Sequence, residues 1–549
     1  MVAVQKLASV PVVVRKGSGD KALIDRFKSR SSQEIVIGFA GPIGCGIKSV
    51  IDDTVKKLND RGYEDVVLVK LSDFLQEALD RKLVSVPAPE GGTSNRFSRY
   101  RKLQEAGKAL RTSSANPAIL AEYAMKKIAV DRRARNPVNA GEEAPALLIP
   151  KRTAYLIDQV KRPEEVALLR AVYRNVFYLV GVTRVYDKRV SALRQEDIRV
   201  DEIHRLMEID RLEASLDGQQ LDKTLHLSDF FIRNDSATVE EKGDKICRVL
   251  DLIHGDRSIT PTDGEQGMYA AYAAGLRSAC LSRQVGAALV SATGEIISTG
   301  CNDVPKFGGG LYSASSKGTD MRCVHREEQH CFNDFHKRKL QTEIGGQVSQ
   351  FLKKIGEADA TRKTELSGEE LSELIAEVYK NTRLKDLIEF SRSVHAEMDA
   401  IITVGRQGGS GLLGSTLYTT TFPCHSCARH IVSAGISRVF YVEPYEKSMA
   451  RDLHDDAIAF DAEEAPTASG KVQFLHFEGV SPRQFQNFFR AVSRKDDQGK
   501  FVRIQPRTAE KSVPEYLDNY QDFETKAVQH LDTEVEKMQQ EVGEVPVDK

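Results

Sequence analysis

Short apolar runs alternate with stretches of helical spacing through the first half of the chain. The runs lie at 34–40, 65–74, 154–160 and 176–182. Buried strands that alternate with helices in this way are typical of a parallel α/β sheet. The alternation stops near 231–234, and a polar stretch separates it from the rest of the chain.

The second half of the chain predicts a different succession of elements. Residues 268–283 have helical spacing, and residues 285–302 predict a β-hairpin with its turn at 292–294. About 85 charged and histidine-rich residues follow at 305–390, and we interpret them as an insertion because a loop of that length is unusual. The pattern then resumes with a helix from His395, a strand at 414–421, a helix from Cys424 and a strand at 438–445.

A chain of 549 residues is too long for one ordinary hydrophobic core, so these patterns predict at least two domains. We expect a first domain at 1–258, a second domain at 259–494 with the insertion at about 305–390, and a polar, partly helical tail at 495–549. Apolar residues at helical spacing in the tail predict a helix that packs against the body or another subunit. These residues are Leu517, Tyr520, Phe523, Leu531, Val535 and Met538.

The composition is that of a folded protein without a disulfide scaffold. Hydrophobic residues make up 41% and charged residues 29%, and no apolar run approaches the roughly 20 residues of a membrane span. Eight cysteines are too few for a disulfide scaffold, and we interpret Cys45, Cys247 and Cys280 as buried small residues. The first residues lack the pattern of a signal peptide, so we expect a cytoplasmic protein with no membrane partner.

The net charge of the chain is close to zero, with 78 basic and 79 acidic residues. Proteins that bind nucleic acids usually present a basic face. The charge balance therefore favours a small substrate over a nucleic-acid substrate, although a local basic patch would be hidden in the average.

Two short motifs in the second half carry ligands for a metal ion. The triplet HAE at 395–397 begins one predicted helix, and PCHSC at 423–427 begins another. A catalytic zinc ion takes three protein ligands and keeps one position for water, and His395, Cys424 and Cys427 supply three ligands of suitable type. The positive end of a helix also favours the thiolate forms that bind metal.

Glu397 is predicted to move protons and not to bind the ion. It lies two positions after His395, where it can take a proton from water, deliver it to a ring nitrogen and help ammonia leave. Zinc lowers the pKa of bound water, so that hydroxide is available near neutral pH. This H-x-E and P-C-x-x-C arrangement is the known signature of zinc-dependent base deaminases.

The sequence is also compatible with non-catalytic roles for these residues. A C-x-x-C pair is more often a structural zinc half-site or a redox pair, and His425 or His430 would complete a closed site of four ligands. Five residues of the insertion are candidates for a second, structural zinc site, although scattered surface histidines are the simpler explanation. These five are Cys323, His325, His330, Cys331 and His336.

A glycine-rich loop, GPIGCGIKS, follows the first predicted strand. Glycines at such a position let backbone N–H groups surround a phosphate at the start of a helix. The match is imperfect, because Ile47 stands where the motif requires lysine and Lys48 follows one position late. Asp158, at a predicted strand end, is a candidate for holding magnesium. The candidate nucleotide-binding residues are Gly41, Gly44, Gly46, Lys48 and Ser49.

The segment before the metal motifs resembles the opening of deoxycytidylate deaminases. Residues 268–302 share with that family a helix, an R-S pair, the run RQVGA and the run ISTG shortly before an asparagine. The resemblance implies that Asn302 faces the sugar of a nucleotide and that Arg277 or Arg283 meets its phosphate. The residues alone are equally compatible with a turn asparagine and two surface arginines.

Over nearly its full length the chain resembles the bacterial anti-phage dCTP deaminases, which join a degenerate kinase-like domain to a deoxycytidylate-deaminase-like domain. The segments 155–182 and 226–234 support this resemblance in the first half. We therefore expect an α/β protein with an N-terminal P-loop nucleoside-monophosphate-kinase-like domain and a C-terminal α/β/α cytidine-deaminase-like domain. Cys301 and Asp303 depart from the deaminase pattern, which has an aromatic residue and a glycine there.

The resemblance implies zinc-dependent deamination of free deoxycytidine nucleotides, dCTP and dCMP to dUTP and dUMP, which depletes a replication precursor during phage infection. It also implies a homo-oligomer that is restrained by a regulatory partner or a nucleotide effector. Base editing of RNA or DNA uses the same zinc chemistry and is one alternative. A nucleotide sensor with a structural zinc is another, and an active kinase that depends on Lys48 is a third. In the kinase-like domain, a sensing, docking or vestigial role is expected over phosphoryl transfer.

Overall fold

The fold is taken from a computed structural model of the chain. It describes residues 31–88, 93–135, 152–211, 218–235, 238–316, 320–358, 366–445, 448–460, 470–490, 492–516 and 520–543. Leu517, one of the apolar residues of the predicted tail helix, lies outside these ranges.

Twelve strands lie within the described residues. They are β1 Ile35–Ala40, β2 Asp65–Lys70, β3 Thr153–Asp158, β4 Phe177–Thr183, β5 Phe230–Arg233, β6 Gly286–Val290, β7 Ile296–Cys301, β8 Thr416–Thr421, β9 Arg438–Glu443, β10 Ile458–Phe460, β11 Val472–His476 and β12 Gly479–Val480. They form two sheets of six strands each: β1 to β5 with β12, and β6 to β11.

Helices surround both sheets. The α-helices are Ile47–Asp60, Leu71–Asp80, Asn95–Ser114, Ile119–Arg135, Pro163–Tyr173, Tyr186–Arg194, Val200–Arg211, Leu221–Leu225, Val239–Ile253, Asp263–Gly275, Phe332–Ala358, Gly368–Asn381, Ala396–Arg406, His425–Ser433, Ala450–Leu453, Phe485–Phe488 and Gln521–Gly543. Short 3-10 helices lie at Arg174–Val176, Cys323–His325 and Arg383–Asp386. No helix in the described ranges is both long and apolar enough to cross a membrane.

The first sheet has the order β12-β5-β4-β1-β3-β2, and β1 to β5 are parallel. Its centre is β1, where Ile37 lies opposite Leu156 of β3 and Tyr178 of β4. All six residues of β1 are buried, as expected for a continuous apolar strand covered by helices on both faces. The predicted parallel sheet is confirmed, while its relation to kinases stays a prediction.

The second sheet has the order β10-β11-β9-β8-β6-β7. The predicted hairpin is present, since β6 pairs with β7 in antiparallel orientation, and β6 also runs antiparallel to β8. Alternate residues of β6 face different clusters: Ala287 packs with Ala396, whereas Ala288 packs with Met268. Helices therefore cover both faces of this sheet, which gives the expected α/β/α layers.

The helix predicted at 268–283 is shifted towards the N terminus and spans Asp263–Gly275. It begins five residues earlier because Thr262 and Glu265 form a capping box: Glu265 N donates to Thr262 Oγ1 at 3.2 Å, and Thr262 N donates to a Glu265 carboxylate oxygen at 2.8 Å. It ends at Gly275, whose Cα approaches the start of β6 so closely that a Cβ would lie 3.0 Å from Gly286 N.

The helix of the tail, Gln521–Gly543, packs against the helix Ile119–Arg135 of the first half. Tyr520, Leu531 and Met538 are buried in the same hydrophobic cluster as residues of the first sheet. The C-terminal part of the chain therefore completes the core of the N-terminal part. In the insertion, the helices Phe332–Ala358 and Gly368–Asn381 pack against each other.

Candidate metal centre and its cavity

Two helix starts hold the predicted metal ligands. His395 is the N-cap residue of the helix Ala396–Arg406, and Cys424 is the N-cap residue of the helix His425–Ser433. The first helix lies directly on β7, because a Cβ on Gly300 would come within 2.1 Å of the Ala396 carbonyl oxygen. A glycine at this position therefore allows the His395 turn to sit close to the sheet.

The three predicted ligands form one compact group. His395 Nδ1 lies 3.3 Å from Cys424 Sγ and 3.3 Å from Cys427 Sγ, and the three ligand atoms all lie within 4.8 Å of one another. Cys427 N donates to Cys424 Sγ at 3.4 Å, which fixes the first thiol at the helix end. One imidazole and two thiols at these separations are a donor set that fits zinc.

No fourth side chain closes this group within the described part of the chain. Among the described histidine, cysteine and carboxylate side chains, His395, Cys424 and Cys427 are the members of this group. His430 Nδ1 instead lies 2.6 Å from the carbonyl oxygen of Ser426, and His425 is outside the group. The closed four-ligand site that the sequence left open is therefore not formed by these histidines.

Glu397 lies beside the group and is not one of its members. Its side chain is 4% exposed, and it lines the same cavity as His395 and Cys424. Burial raises the pKa of the Glu397 carboxyl, a direction that suits a group which must carry a proton. A hydrogen bond with Cys427, and a further one with His395, lower the pKa of the Cys424 thiol to about 4, which favours its thiolate form.

The cavity above the ligands has a volume of about 240 Å³. Asn302 lines it, and its amide joins two backbone groups of the loop before β6. Its Nδ2 donates to the Arg283 carbonyl oxygen at 2.8 Å, and its Oδ1 accepts from Val285 N at 2.7 Å. Both the Nδ2 and the Oδ1 of Asn302 are therefore hydrogen-bonded to the backbone of the cavity wall. The contact of Asn302 with a sugar stays a prediction.

The departure at Asp303 has a structural explanation, whereas nothing in the structure explains the cysteine at 301. Asp303 is 1% exposed and accepts hydrogen bonds from Ala279 N at 2.9 Å and from Val304 N at 2.8 Å. It therefore ties the end of β7 to the segment after the helix Asp263–Gly275. Cys301 is buried, and its backbone N donates to Asp399 at 3.2 Å.

The structure brings one of the two candidate arginines to the metal group. Arg283 lines the cavity, with its guanidinium 5.7 Å from the centre of the Tyr445 ring. Arg277 instead lines a second cavity together with Asp399 and Arg406. Arg283 is thus the arginine that stays a candidate for substrate contact in the metal-site cavity.

Two cationic side chains that the sequence motifs did not identify line the cavity, and one of them, Lys337, belongs to the insertion. Arg392 and Lys337 both line the cavity of the metal group. Arg392 Nη1 donates to the Met321 carbonyl oxygen at 3.1 Å, and its guanidinium lies 5.2 Å from the centre of the Phe332 ring. Arg392 precedes His395 by three residues, and this proximity along the chain was the available signal.

The possible second zinc site is not formed by the five insertion residues named for it. Within the described ranges, which include all five, the group around His395 is the sole cluster of three or more metal-binding side chains. The centre of the His330 ring lies 4.7 Å from that of Phe335, and His336 lies 5.6 Å from Phe390. These two histidines take part in aromatic packing.

The glycine-rich loop places its lysine away from the loop. Lys48 Nζ is 2.6 Å from Asp52, and the Lys48 side chain is 86% exposed. Ser49 Oγ contacts Lys242 Nζ. Nucleotide binding by these two side chains stays a prediction that this geometry does not support.

A buried carboxylate occupies the loop itself. Gly44 and Gly46 have φ values of 81° and 78°, and Ile43 N donates to Asp210 Oδ2 at 2.7 Å. Asp210 is fully buried and also pairs with Lys161 Nζ. A protein carboxylate is thus bound where a phosphate-binding loop would present its N–H groups to an anion.

The second half of the chain defines the class of this protein. Residues 261–443 match the family described as the cytidine and deoxycytidylate deaminase zinc-binding region. The match contains His395, Glu397, Cys424 and Cys427. This region is a deaminase domain of that family, and zinc is its cofactor.

Individual relatives agree with this class. The deoxycytidylate deaminase of Enterobacteria phage T4 is 28% identical over 178 residues, which are 32% of this chain and 76% of the phage protein. The probable deoxycytidylate deaminase of Drosophila melanogaster is 49% identical over 49 residues, 9% of this chain and 23% of that protein.

A solved structure is also similar to part of the chain. The dCMP deaminase from the cyanophage S-TIM5, in complex with dCMP and dUMP, has 18% sequence identity with it. The alignment covers 40% of this chain and 98% of that chain, with a TM-score of 0.22.

Proposed function

We propose that this protein is a zinc-dependent deaminase of free deoxycytidine nucleotides that converts dCTP and dCMP to dUTP and dUMP. The observation that carries the proposal is the group of three ligands, His395, Cys424 and Cys427, beside the buried Glu397 in one cavity. Three ligands leave one side of an ion accessible, as a hydrolytic zinc site requires.

The residues of the cavity provide the proton transfers of this reaction. Zinc held by the three ligands would supply a Lewis acid that lowers the pKa of water. Glu397 accepts a proton from water as the water oxygen bonds to C4 of the cytosine ring, and it gives that proton to N3. The same carboxylate takes the remaining proton of that hydroxyl as the C4 carbonyl forms and passes it to the exocyclic amine, and the C4–N bond breaks to release ammonia. One water is consumed, and a uracil nucleotide remains.

Free nucleotides are favoured as substrates by the charges at the cavity. Arg283 and Arg392 both line it, and guanidinium groups bind phosphate well. The near-zero net charge of the whole chain does not favour a polynucleotide. A role in depleting deoxycytidine nucleotides against phage, a cytoplasmic location, a homo-oligomeric state and control by a partner or effector belong to the same proposal and rest on the family resemblance.

The test is product analysis with purified, zinc-loaded protein. Incubation with dCTP and dCMP should give dUTP and dUMP, and Glu397→Gln should lower kcat by about 10³-fold with zinc content unchanged. Glu295→Gln, which removes an exposed carboxyl of the hairpin turn, is the matched control and should keep full activity. Faster deamination of a single-stranded oligonucleotide than of dCTP, or zinc binding without any uracil product, would contradict the proposal.

A further inference from the structure

A third cavity, distinct from the metal-site cavity and from the one lined by Arg277, lies between the two halves of the molecule. It has a volume of about 450 Å³, within the roughly 300–1,000 Å³ that is usual for small-molecule sites. Residues of the first sheet and its loops, such as Pro42 and Thr183, line one side. Residues of the deaminase domain, such as Tyr441 and Arg451, line the other.

The position of this cavity in the first sheet is the one at which open α/β sheets bind ligands. Pro42 follows the carboxyl end of β1, and Thr183 is the last residue of the neighbouring parallel strand β4. From β1 the chain continues to β2 on one edge of the sheet, and from β4 it continues to β5 on the opposite side. Because these two connections run towards opposite edges of the sheet, a crevice forms between β1 and β4 at the carboxyl ends of the two strands.

The lining of the cavity is rich in positive charge. Four arginines contribute to it against two carboxylates, and they come from both halves of the chain. The arginines are Arg184, Arg189, Arg211 and Arg451, and the carboxylates are Glu208 and Asp222. An excess of arginines in the lining fits a ligand with several phosphate oxygens.

Aromatic side chains form the wall on the deaminase side and connect the two cavities. Phe422 and Tyr445 line both this cavity and the cavity of the metal group. Phe422 precedes Cys424 by two residues, so a ligand that moves this ring acts next to a metal ligand. Tyr445, which is half-buried in this wall, presents an aromatic ring that suits stacking with a base.

We propose that the cavity between β1, β4 and the deaminase domain is a binding site for a phosphorylated nucleoside, separate from the site of deamination. The phosphates contact Arg184 and Arg451, and the base lies against the aromatic wall. Through Phe422 and Tyr445 the bound nucleotide alters deamination, a consequence that rests on the proposed function.

Binding is tested by calorimetry on the full-length Glu397→Gln protein, which removes turnover. The probes are ATP, GTP and dTTP, with inorganic tripolyphosphate as the ligand that has no base. At least one nucleotide should bind, and Arg184→Gln and Arg451→Gln should each weaken it about tenfold or more. Arg81→Gln, a surface arginine paired with Glu77, and Lys48→Ala should leave the affinity unchanged.

Three results would overturn the assignment. They are no binding of any of the three nucleotides below about 1 mM, equal affinity for tripolyphosphate, and loss of binding in Lys48→Ala but not in Arg184→Gln. Since the measurement needs no turnover, absence of deaminase activity leaves it valid. In the active protein, the nucleotide that binds should shift KM for dCMP about fivefold or more, and Arg184→Gln should abolish that shift.

Discussion

His395 and Glu397 differ in role although two positions separate them. His395 stands at the N-cap, where its ring reaches both thiols, whereas Glu397 lies in the first helical turn and faces the cavity without joining the ligand group. A carboxylate beside an ion, and not on it, keeps its oxygens available for proton transfer.

The thiol of Cys424 is predicted to be essential for metal binding. Cys424→Ser should lower zinc affinity by well over about tenfold, because a serine hydroxyl is a much poorer zinc ligand than a thiolate. The measurement is zinc content after dialysis against a weak chelator. Cys247→Ser is the control, as Cys247 lies outside the ligand group and should keep the metal. Full zinc content in Cys424→Ser would contradict the assignment of the ligands.

Protonation of His254 is predicted to destabilise the protein in acid. This histidine is 2% exposed, Tyr63 Oη lies 2.9 Å from its Nε2, and burial lowers its pKa from 6.5 to about 4. The unfolded chain therefore binds the proton first. The stability contributed by the neutral ring is complete above pH 6.5 and is lost as the pH falls towards 4, by up to about 3 kcal/mol.

The His254 effect is measured by thermal unfolding at pH 7.5 and pH 5. The difference in Tm between these values should be smaller for His254→Gln than for the unmodified protein. His430→Gln, which changes an exposed histidine, should leave the difference unchanged. An equal pH response in His254→Gln and the unmodified protein would show that this ring does not titrate as described.

At the scale of elements, the local features were predictable from the sequence and the long-range ones were not. Each of the two metal motifs, and the hairpin, lies within a short stretch of the chain, and its spacing predicts the local geometry. Lys337 reaches the metal cavity through the packing of the insertion, and Asp210 reaches the glycine loop from a helix more than 160 positions away along the chain. Such contacts depend on tertiary packing, which periodicity does not encode.

The glycine loop is predicted to depend on Asp210 for its stability. Asp210→Ala would leave Lys161 and Ile43 N without their carboxylate partner in a buried setting. Breaking such a pair should reduce the free energy of unfolding by about 3 kcal/mol. Asp52→Ala removes the half-exposed partner of Lys48 and should cost about 0.5 kcal/mol or less. Similar denaturation midpoints for the two variants would contradict a structural role for Asp210.

At the scale of the whole molecule, the two halves share strands and core residues. β12, which follows the second sheet along the chain, pairs with β5 of the first sheet, where Gly479 lies opposite Phe231. Arg132 is buried and pairs with both Glu34 and Glu524. It therefore connects the residue that precedes β1 to the helix of the tail. The helix predicted in the tail thus packs against the body of the protein, in the N-terminal core, which is one of the two alternatives predicted from the sequence.

The tail helix is therefore predicted to carry a large share of the stability of the first half. Leu531 is 1% exposed in the core cluster that also holds Tyr155 and Leu179, whereas Phe523 on the same helix is 53% exposed. Leu531→Ala should cost about 3 kcal/mol, because it removes buried methyl groups and leaves a cavity. Phe523→Ala should change stability by about 0.5 kcal/mol or less. Chemical denaturation followed by tyrosine fluorescence distinguishes these outcomes, and equal effects of the two substitutions would mean that the tail does not pack on the helix Ile119–Arg135 in solution.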